Sequence, residues 1–89
     1  MKTLCVNGAD IVSKEQLHEW IAAELQFPAW YGGNLDALYD CLTDYKDELE
    51  LRISNVSDLK KTLGEDARRL LRVLEDAAGE NEKLRISIE

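Results

Sequence analysis

Apolar residues follow two different periods along this chain, and each period predicts a different kind of element. A short apolar run at residues 2–6, closed by Asn7-Gly8, predicts a strand followed by a turn. Apolar and polar residues alternate at 48–53 and again at 84–89, which predicts two further strands, each with one buried face. The chain therefore offers three strands, spaced widely enough for helices to connect them.

Two helices are predicted between the first and second strands. Ser13 and Gln16 form a capping box in front of a helix at about 14–25, and Pro28 marks the loop that follows it. The apolar spacing assigns the buried face of this helix to Leu17, Trp20, Ile21 and Leu25.

The second of these helices is predicted at about 35–43. Asn34 is its expected N-cap, after a sharp turn that Gly32 and Gly33 permit. Three leucines fall on one face of this helix, namely Leu35, Leu38 and Leu42.

Two more helical segments are predicted between the second and third strands. A short helical turn begins near Asn55 and ends at Leu63, and Gly64 separates it from a longer helix at about 65–78. Gly79 is the expected stop signal. The predicted buried face of the longer helix consists of Ala67, Leu70, Leu71, Leu74, Ala77 and Ala78.

The predicted order of elements is β-α-α-β-α-α-β. Because each strand is followed by a helical crossover, parallel pairing with right-handed connections is favoured. The sequence therefore predicts an α/β fold in which a three-stranded, mostly parallel sheet packs against about four helices. One domain is expected to cover residues 1–89.

Composition is that of an ordinary globular protein, with 45% hydrophobic and 33% charged residues. The chain has no run of about 18 apolar residues, so no transmembrane helix is predicted. The apolar stretch at the N-terminus is too short for a secretory signal. We therefore expect a cytoplasmic protein.

The formal charge of −7 predicts repulsion from nucleic acid and anionic membranes, and attraction to basic partners. The charge is uneven, because residues 36–50 contain six acids and a single base, Lys46. Later in the chain Arg68, Arg69 and Arg72 are expected to pair with acids along a solvated helix face.

Few residues suggest redox or metal chemistry. Two cysteines do not make a disulfide framework, and we expect Cys5 and Cys41 to be buried free thiols. The single histidine, His18, is expected at the surface or at the rim of a binding face. It has no cysteine at ligand spacing, so neither a metal nor any other cofactor is predicted.

The most informative segment is residues 28–45, which contains four aromatic residues, a double glycine and three aspartates. Asp36 and Asp40 lie one turn apart on the predicted second helix, where like charges cost a few tenths of a kcal/mol. Tyr39 and Thr43 lie beside them. This combination is typical of a surface that receives a cationic partner.

Residues 31–42 closely resemble the signature of the barstar family of intracellular ribonuclease inhibitors, Tyr-Gly-x-Asn-Leu-Asp-Ala-Leu-x-Asp-x-Leu. The element order and the chain length are similar over essentially the whole sequence, although identity is weak in the second half. Other matches follow in order along the chain, namely Asn7-Gly8, Leu17-His18, Glu24-Leu25 and Phe27-Pro28.

The resemblance implies a barstar-like fold and an inhibitor, monomeric when free, that binds a basic ribonuclease one-to-one. The second helix and its preceding loop would enter the substrate groove of the nuclease, with Asp36 and Asp40 in place of RNA phosphates and Asp40 at the centre. The implied partner-binding residues are Trp30, Tyr31, Gly32, Asn34, Leu35, Asp36, Ala37, Tyr39, Asp40, Thr43, Asp44, Tyr45 and Asp76.

Several of these positions depart from the family pattern. Trp30 replaces a tyrosine, Tyr39 and Tyr45 replace tryptophans, and Asp76 replaces a glutamate. Gly33 and Asp44 also differ from the prototype. These changes lie at the rim more than at the centre. The expected target is therefore a barnase-like ribonuclease or a related nuclease toxin. The inhibitor would protect the cell either from its own secreted ribonuclease or from a toxin delivered by neighbouring cells.

Alternatives stay open for the function and for one aromatic residue. An acidic interaction module for a non-nuclease basic partner would use the same helix. Catalysis by Asp36 and Asp40 would require an apolar pocket that raises one carboxyl pKa, and exposed neighbours one turn apart offer none, so no enzyme is expected. Trp30 could instead anchor its loop in the core.

Overall fold

Three strands and four helices alternate in the predicted order in a computed structural model that describes all residues from Met1 to Glu89. The α/β class and the β-α-α-β-α-α-β order are thereby confirmed. The elements are β1 (Lys2–Asn7), α1 (Lys14–Leu25), α2 (Leu35–Thr43), β2 (Leu49–Ser54), α3 (Val56–Leu63), α4 (Glu65–Glu80) and β3 (Leu84–Ile88), with a 3₁₀ turn at Gly8–Asp10.

The sheet has the order β1-β2-β3, and both pairs of neighbouring strands are parallel. The sheet is therefore entirely parallel, where the sequence indicated a mostly parallel one. The register aligns Leu4 of β1 with Leu51 of β2 and Ile86 of β3. This apolar row faces the helices, because Leu4 and Leu51 are buried and Ile86 packs against the core.

The opposite face of the sheet carries polar residues and no helical layer. Thr3, Glu50 and Arg85 form the neighbouring row, in which Thr3 and Arg85 are exposed and Glu50 is half-buried. Parallel sheets are more often covered on both faces. The alternation of apolar and polar residues in β2 and β3 already indicated one solvated face.

The core lies between the apolar face of the sheet and the helices, and its buried apolar residues form one cluster. α2 packs against α4, and the side chains of Leu38 and Leu42 on α2 are fully buried. The apolar side of α2 is therefore held against α4 and the core, and the opposite side of the helix lies at the surface.

Two helix boundaries differ from the prediction. α4 continues through Gly79 to Glu80, and Asn81 is its C-cap with an extended backbone. Gly79 has open space around it and an ordinary φ, so nothing there requires the chain to leave the helix. The segment Val56–Leu63 is a full α-helix rather than a short turn, and Asn55 precedes it at φ 51°.

The Asn7-Gly8 turn is a 3₁₀ turn, which the sequence pattern did not specify. The Asn7 side chain accepts a hydrogen bond from the Ala9 amide at 3.0 Å. A Cβ at Gly8 would lie 2.3 Å from the carbonyl oxygen of Asn55. Glycine is needed here because the backbone ahead of α3 approaches this turn too closely for a side chain.

The predicted capping box at α1 is present in a shifted form. The Ser13 hydroxyl accepts from the Gln16 amide at 3.1 Å, as expected for an N-cap. The Gln16 side chain, however, accepts from the amide of Val12 at 2.8 Å rather than from that of Ser13. The box therefore also fixes the residue before the cap.

Several residues lie at a depth that differs from the prediction. Cys41 is buried as expected, but Cys5 is exposed, because it lies on the uncovered face of β1. Trp20 is half-buried at the edge of the core rather than inside it. None of the helices is both long and apolar enough to cross a membrane.

Two of the three expected pairs along α4 are present. Arg68 lies 3.1 Å from Glu65 and Arg69 lies 3.4 Å from Asp66, both at exposed positions. Arg72 forms no ion pair, contrary to the expectation. A third pair, absent from the prediction, joins Asp66 to Lys14 of α1 at 3.8 Å.

Candidate protein-binding face

Two aspartates are the only exposed residues of α2. Asp36 and Asp40 lie one turn apart, and the next exposed position one turn further is Asp44, the C-cap of the helix. The rise of an α-helix places the first and the last of these residues about 12 Å apart along the axis. The surface of α2 therefore presents a stripe of three carboxylates, hereafter the carboxylate stripe.

The N-terminal end of α2 is fixed by its cap. The Asn34 side-chain oxygen accepts from the Ala37 amide at 2.8 Å, which confirms the predicted N-cap. Gly33 precedes it at φ 68°, in the left-handed region that favours glycine. The loop residue Gly33 therefore leads directly into the first helical turn of α2, in which Asp36 is exposed. A carboxylate at that position is also favoured by the helix dipole.

A hydrogen bond to α1 anchors the loop that leads into α2. The hydroxyl of Tyr31 is bonded to Nδ1 of His18, and the Tyr31 ring packs on Phe27 with centroids 5.0 Å apart. His18 is therefore buried, at 7% exposure, where the sequence indicated a surface or rim position. The contact with Tyr31 of the loop contributes to this burial.

Burial changes the acid–base properties of this pair. Loss of solvent lowers the pKa of His18 from its ordinary value of 6.5; the smaller effect of Glu15 raises it and that of Lys14 lowers it further. Burial also raises the pKa of the Tyr31 hydroxyl to about 12, assisted by Cys41. At neutral pH both groups are therefore uncharged, and the bond between them joins a neutral imidazole to a neutral phenol.

Asn81 ties down the C-terminal end of α2. Its side-chain amide donates to the carbonyl of Leu42 at 2.9 Å and to that of Tyr45 at 3.1 Å. These carbonyls belong to the last turn of α2 and the chain just beyond it, where the regular helical amide donors run out. The Leu42 carbonyl also accepts from the Tyr45 amide at 3.3 Å. Thr43 adds a local bond, because its hydroxyl donates to the Tyr39 carbonyl at 2.9 Å.

The aromatic residues flank the carboxylate stripe at different depths. Trp30 is 62% exposed, so it does not anchor its loop in the core, and that alternative is wrong. Tyr39 and Tyr45 are half-buried and pack against the core. Large, rigid aromatic surfaces next to charged groups are enriched in the energetically dominant parts of protein interfaces.

The structure brings together all but one of the partner-binding residues proposed from the sequence. The exposed ones are Trp30, Gly32, Asn34, Asp36, Asp40 and Asp44, and the half-buried ones are Tyr31, Leu35, Ala37, Tyr39, Thr43 and Tyr45. Asp76 is exposed and belongs to α4, the helix on which α2 packs.

No carboxylate of this face takes part in an ion pair. The three ion pairs of the chain involve α1 and α4, and none includes a carboxylate of the stripe. Ionised carboxylates are acceptors only, and each can receive a bidentate pair of hydrogen bonds from an arginine. No group of three or more histidine, cysteine or acidic side chains is placed to hold a metal ion.

Sequence reasoning missed the residues that support this face from behind. His18 was placed at the surface, and Asn81 and Phe27 were given no structural role. A hint existed for Asn81, because asparagine after a helix often bonds local backbone groups. No local signal could identify its partners, which lie 39 and 36 residues away in the chain.

Comparison with known proteins agrees with the geometry. A model of the family described as "Barstar (barnase inhibitor)" matches residues 1–89. The chain is also 37% identical over 91 residues to a protein of Bacillus subtilis (strain 168) named "Putative ribonuclease inhibitor YrdF", and the match covers 100% of both chains. On these two matches, this chain belongs to the barstar family.

Proposed function

We propose that this protein inhibits a small basic ribonuclease, barnase-like or a related nuclease toxin, by inserting α2 into the active site. The observation that carries the proposal is the carboxylate stripe, Asp36, Asp40 and Asp44, which is exposed and without ion pairs. In the proposed one-to-one complex Asp36 and Asp40 occupy phosphate positions, with Asp40 at the centre. Family membership and the name of the Bacillus relative support an inhibitor of this class.

Rigidity of α2 supports tight binding by this surface. The helix is capped at its N-terminus by Asn34, held at its C-terminus by Asn81 and packed through Leu38 on the core. Side chains on a pre-organised helix lose little conformational entropy on association. A complex of nanomolar affinity requires about 12 kcal/mol of binding free energy, which is easier to reach when this cost is small.

Charge supports fast encounter with a basic enzyme. The protein carries a formal charge of −7, and its α2 face holds three carboxylates without a neighbouring ion pair. Complementary charge steers diffusional encounter and raises the association rate. The same field disfavours nucleic acid as the partner, because phosphates would be repelled.

A catalytic role for the paired aspartates has less support. Both residues are exposed on a helix surface, whereas a carboxylic acid that donates a proton near neutral pH requires an apolar environment. An acceptor surface for arginine and lysine requires no such environment. The exposed stripe therefore favours inhibition over hydrolysis.

The decisive experiment measures RNA cleavage by barnase at increasing concentrations of this protein. We expect inhibition with one-to-one stoichiometry and no cleavage at excess inhibitor. Asp40→Ala should weaken inhibition by about thirtyfold or more, the usual effect of truncating a dominant interface residue. Asp76→Ala should have a much smaller effect, because it lies on α4 at the periphery.

Asp58→Asn is a matched control, since it removes one exposed carboxylate in the first turn of α3. It should leave inhibition unchanged. Full cleavage at excess protein would contradict a barnase-like target. Equal, small effects of Asp40→Ala and Asp76→Ala would contradict the central position of Asp40. Binding without inhibition would instead favour an interaction module for a non-nuclease basic partner.

A further inference from the structure

A groove beside the C-terminal end of α2 adds a second feature to the binding face. Its volume is about 410 Å³, and it lies between the loop after α1 and the chain that leaves α2. The carbon walls of this groove are contributed by Leu25, Phe27, Pro28, Trp30 and Tyr45. Its charged lining consists of Asp44, Lys46 and Asp47, and Cys41 also contributes to it.

The two carboxylates of this groove lack a cationic partner. Asp44 and Asp47 are exposed and form no ion pair, and Lys46, the only base in the lining, is paired with neither of them. The groove therefore keeps a net negative charge. Burial, and to a smaller extent Asp40 and Asp44, raise the pKa of the Cys41 thiol.

We propose that this groove receives one arginine side chain of the partner nuclease, in addition to the cations that meet Asp36 and Asp40. The proposal rests on the inhibitory function proposed above and extends it to a third contact. The guanidinium would bond to the Asp44 carboxylate, and its planar face and carbon stem would pack between Trp30 and Tyr45.

Arginine fits this lining better than lysine. A planar guanidinium can bond bidentately to a carboxylate and stack on an aromatic ring in the same pose. It is also more weakly hydrated than an ammonium group, so it loses less on entering a partly apolar groove. Trp30 supplies the aromatic surface that attracts cations most strongly.

Selectivity follows from the composition of the lining. Asp44 and Trp30 are two of the positions at which this chain departs from the family pattern, and the structure brings them together in one groove. The third contact would therefore select, among basic nucleases, an enzyme with an arginine at the edge of its active site. Specificity of this kind is a difference in affinity between partners.

The test is an NMR titration of the full-length, isotopically labelled protein with Nα-acetyl-arginine amide. We expect saturable shifts of the Trp30 indole N–H and of the Asp44 and Tyr45 amides. Asp44→Asn should weaken this binding by about threefold or more, as expected for loss of one partly exposed ion pair. Asp58→Asn, the same substitution at a distant exposed site on α3, should leave the binding unchanged.

Nα-acetyl-lysine amide and the uncharged Nα-acetyl-citrulline amide complete the design. Weaker shifts with both would support an arginine site. Equal shifts with lysine would overturn the assignment to arginine, and equal shifts with citrulline would overturn the role of charge. Absence of saturable shifts at Trp30 and Asp44, or shifts confined to Asp36 and Asp40, would also overturn the proposal.

Failure of this proposal is distinguishable from failure of the proposed function. If inhibition of barnase depends on Asp40 but no arginine binds in the groove, the inhibitory function is supported and the third contact is contradicted. Arginine binding in the groove without inhibition of a ribonuclease would support the arginine site and contradict the proposed inhibitory function.

Discussion

The hydroxyl of Tyr31 and Nδ1 of His18 are joined by a hydrogen bond that ties the loop before α2 to α1. Both residues are shielded from solvent by their contact, and the loop that carries Trp30 and Gly32 is thereby held in place. The position of the candidate binding face therefore depends on the bond between buried His18 and half-buried Tyr31.

Stability should depend on pH through His18. Burial lowers its pKa below 6.5, so the unfolded chain binds this proton more readily than the folded protein. The contribution to the free energy of unfolding is therefore complete above about pH 6.5 and is lost as the pH falls toward the folded-state value.

Because His18 is the only histidine, urea denaturation between about pH 7.5 and pH 5.5 isolates this effect. The unfolding free energy should decrease in this range for the natural chain and stay nearly constant for His18→Gln. An equal slope in the variant would assign the pH dependence to other groups.

Removal of the Tyr31 hydroxyl should destabilise the fold. Tyr31→Phe retains the packing on Phe27 but leaves the His18 ring nitrogen buried without a partner. A loss of about 1–3 kcal/mol in the free energy of unfolding is expected. Tyr39→Phe is the matched control, because its hydroxyl forms no hydrogen bond within the chain, and it should change stability by less than about 0.5 kcal/mol. Similar losses in both variants would show that the bond to His18 has no special weight.

Two glycine-to-alanine substitutions should have opposite signs. Gly33 has φ 68°, so Gly33→Ala should destabilise the protein by about 1 kcal/mol or more. Gly79 lies within α4 with open space at the Cβ position, so Gly79→Ala should stabilise it by about 0.5–1 kcal/mol. Thermal or urea denaturation measures both, and a stabilising Gly33→Ala would contradict the left-handed conformation of this turn.

Asn81 should be important for the stability of the C-terminal end of α2. Asn81→Ala removes the side-chain hydrogen bonds to the Leu42 and Tyr45 carbonyls and should lower the free energy of unfolding by about 1–2 kcal/mol. Amide hydrogen exchange should become faster in the last turn of α2 than in α3. Unchanged protection of that turn would show that packing of Leu42 alone holds it.

Association with barnase should become slower as salt is added. The Debye length is about 10 Å at 0.1 M salt, so added ions screen the field of the carboxylate stripe during encounter. Stopped-flow measurements should show a steep fall of the association rate constant, and a shallower one for Asp36→Asn. A rate constant independent of salt would exclude electrostatic steering.

Local patterns were sufficient for the elements of this protein and for the surface of α2. The helices and strands follow from apolar spacing, and caps such as Asn34 depend on hydrogen bonds to the next few residues. The helical period of α2 places Asp36 and Asp40 on the solvent side because Leu38 and Leu42 lie on the buried side. Each of these features is decided within a few turns of chain, where short-range geometry dominates.

Tertiary structure alone decided the depth of individual residues and the support of the face. His18 is buried and Cys5 exposed because the loop covers one side of α1 and no helix covers the outer face of β1. Contacts between residues distant in the chain bring Asn81 to α2 and form the groove beside Trp30 and Asp44. Periodicity reports which side of an element is apolar, but it contains no information on which other segment packs there.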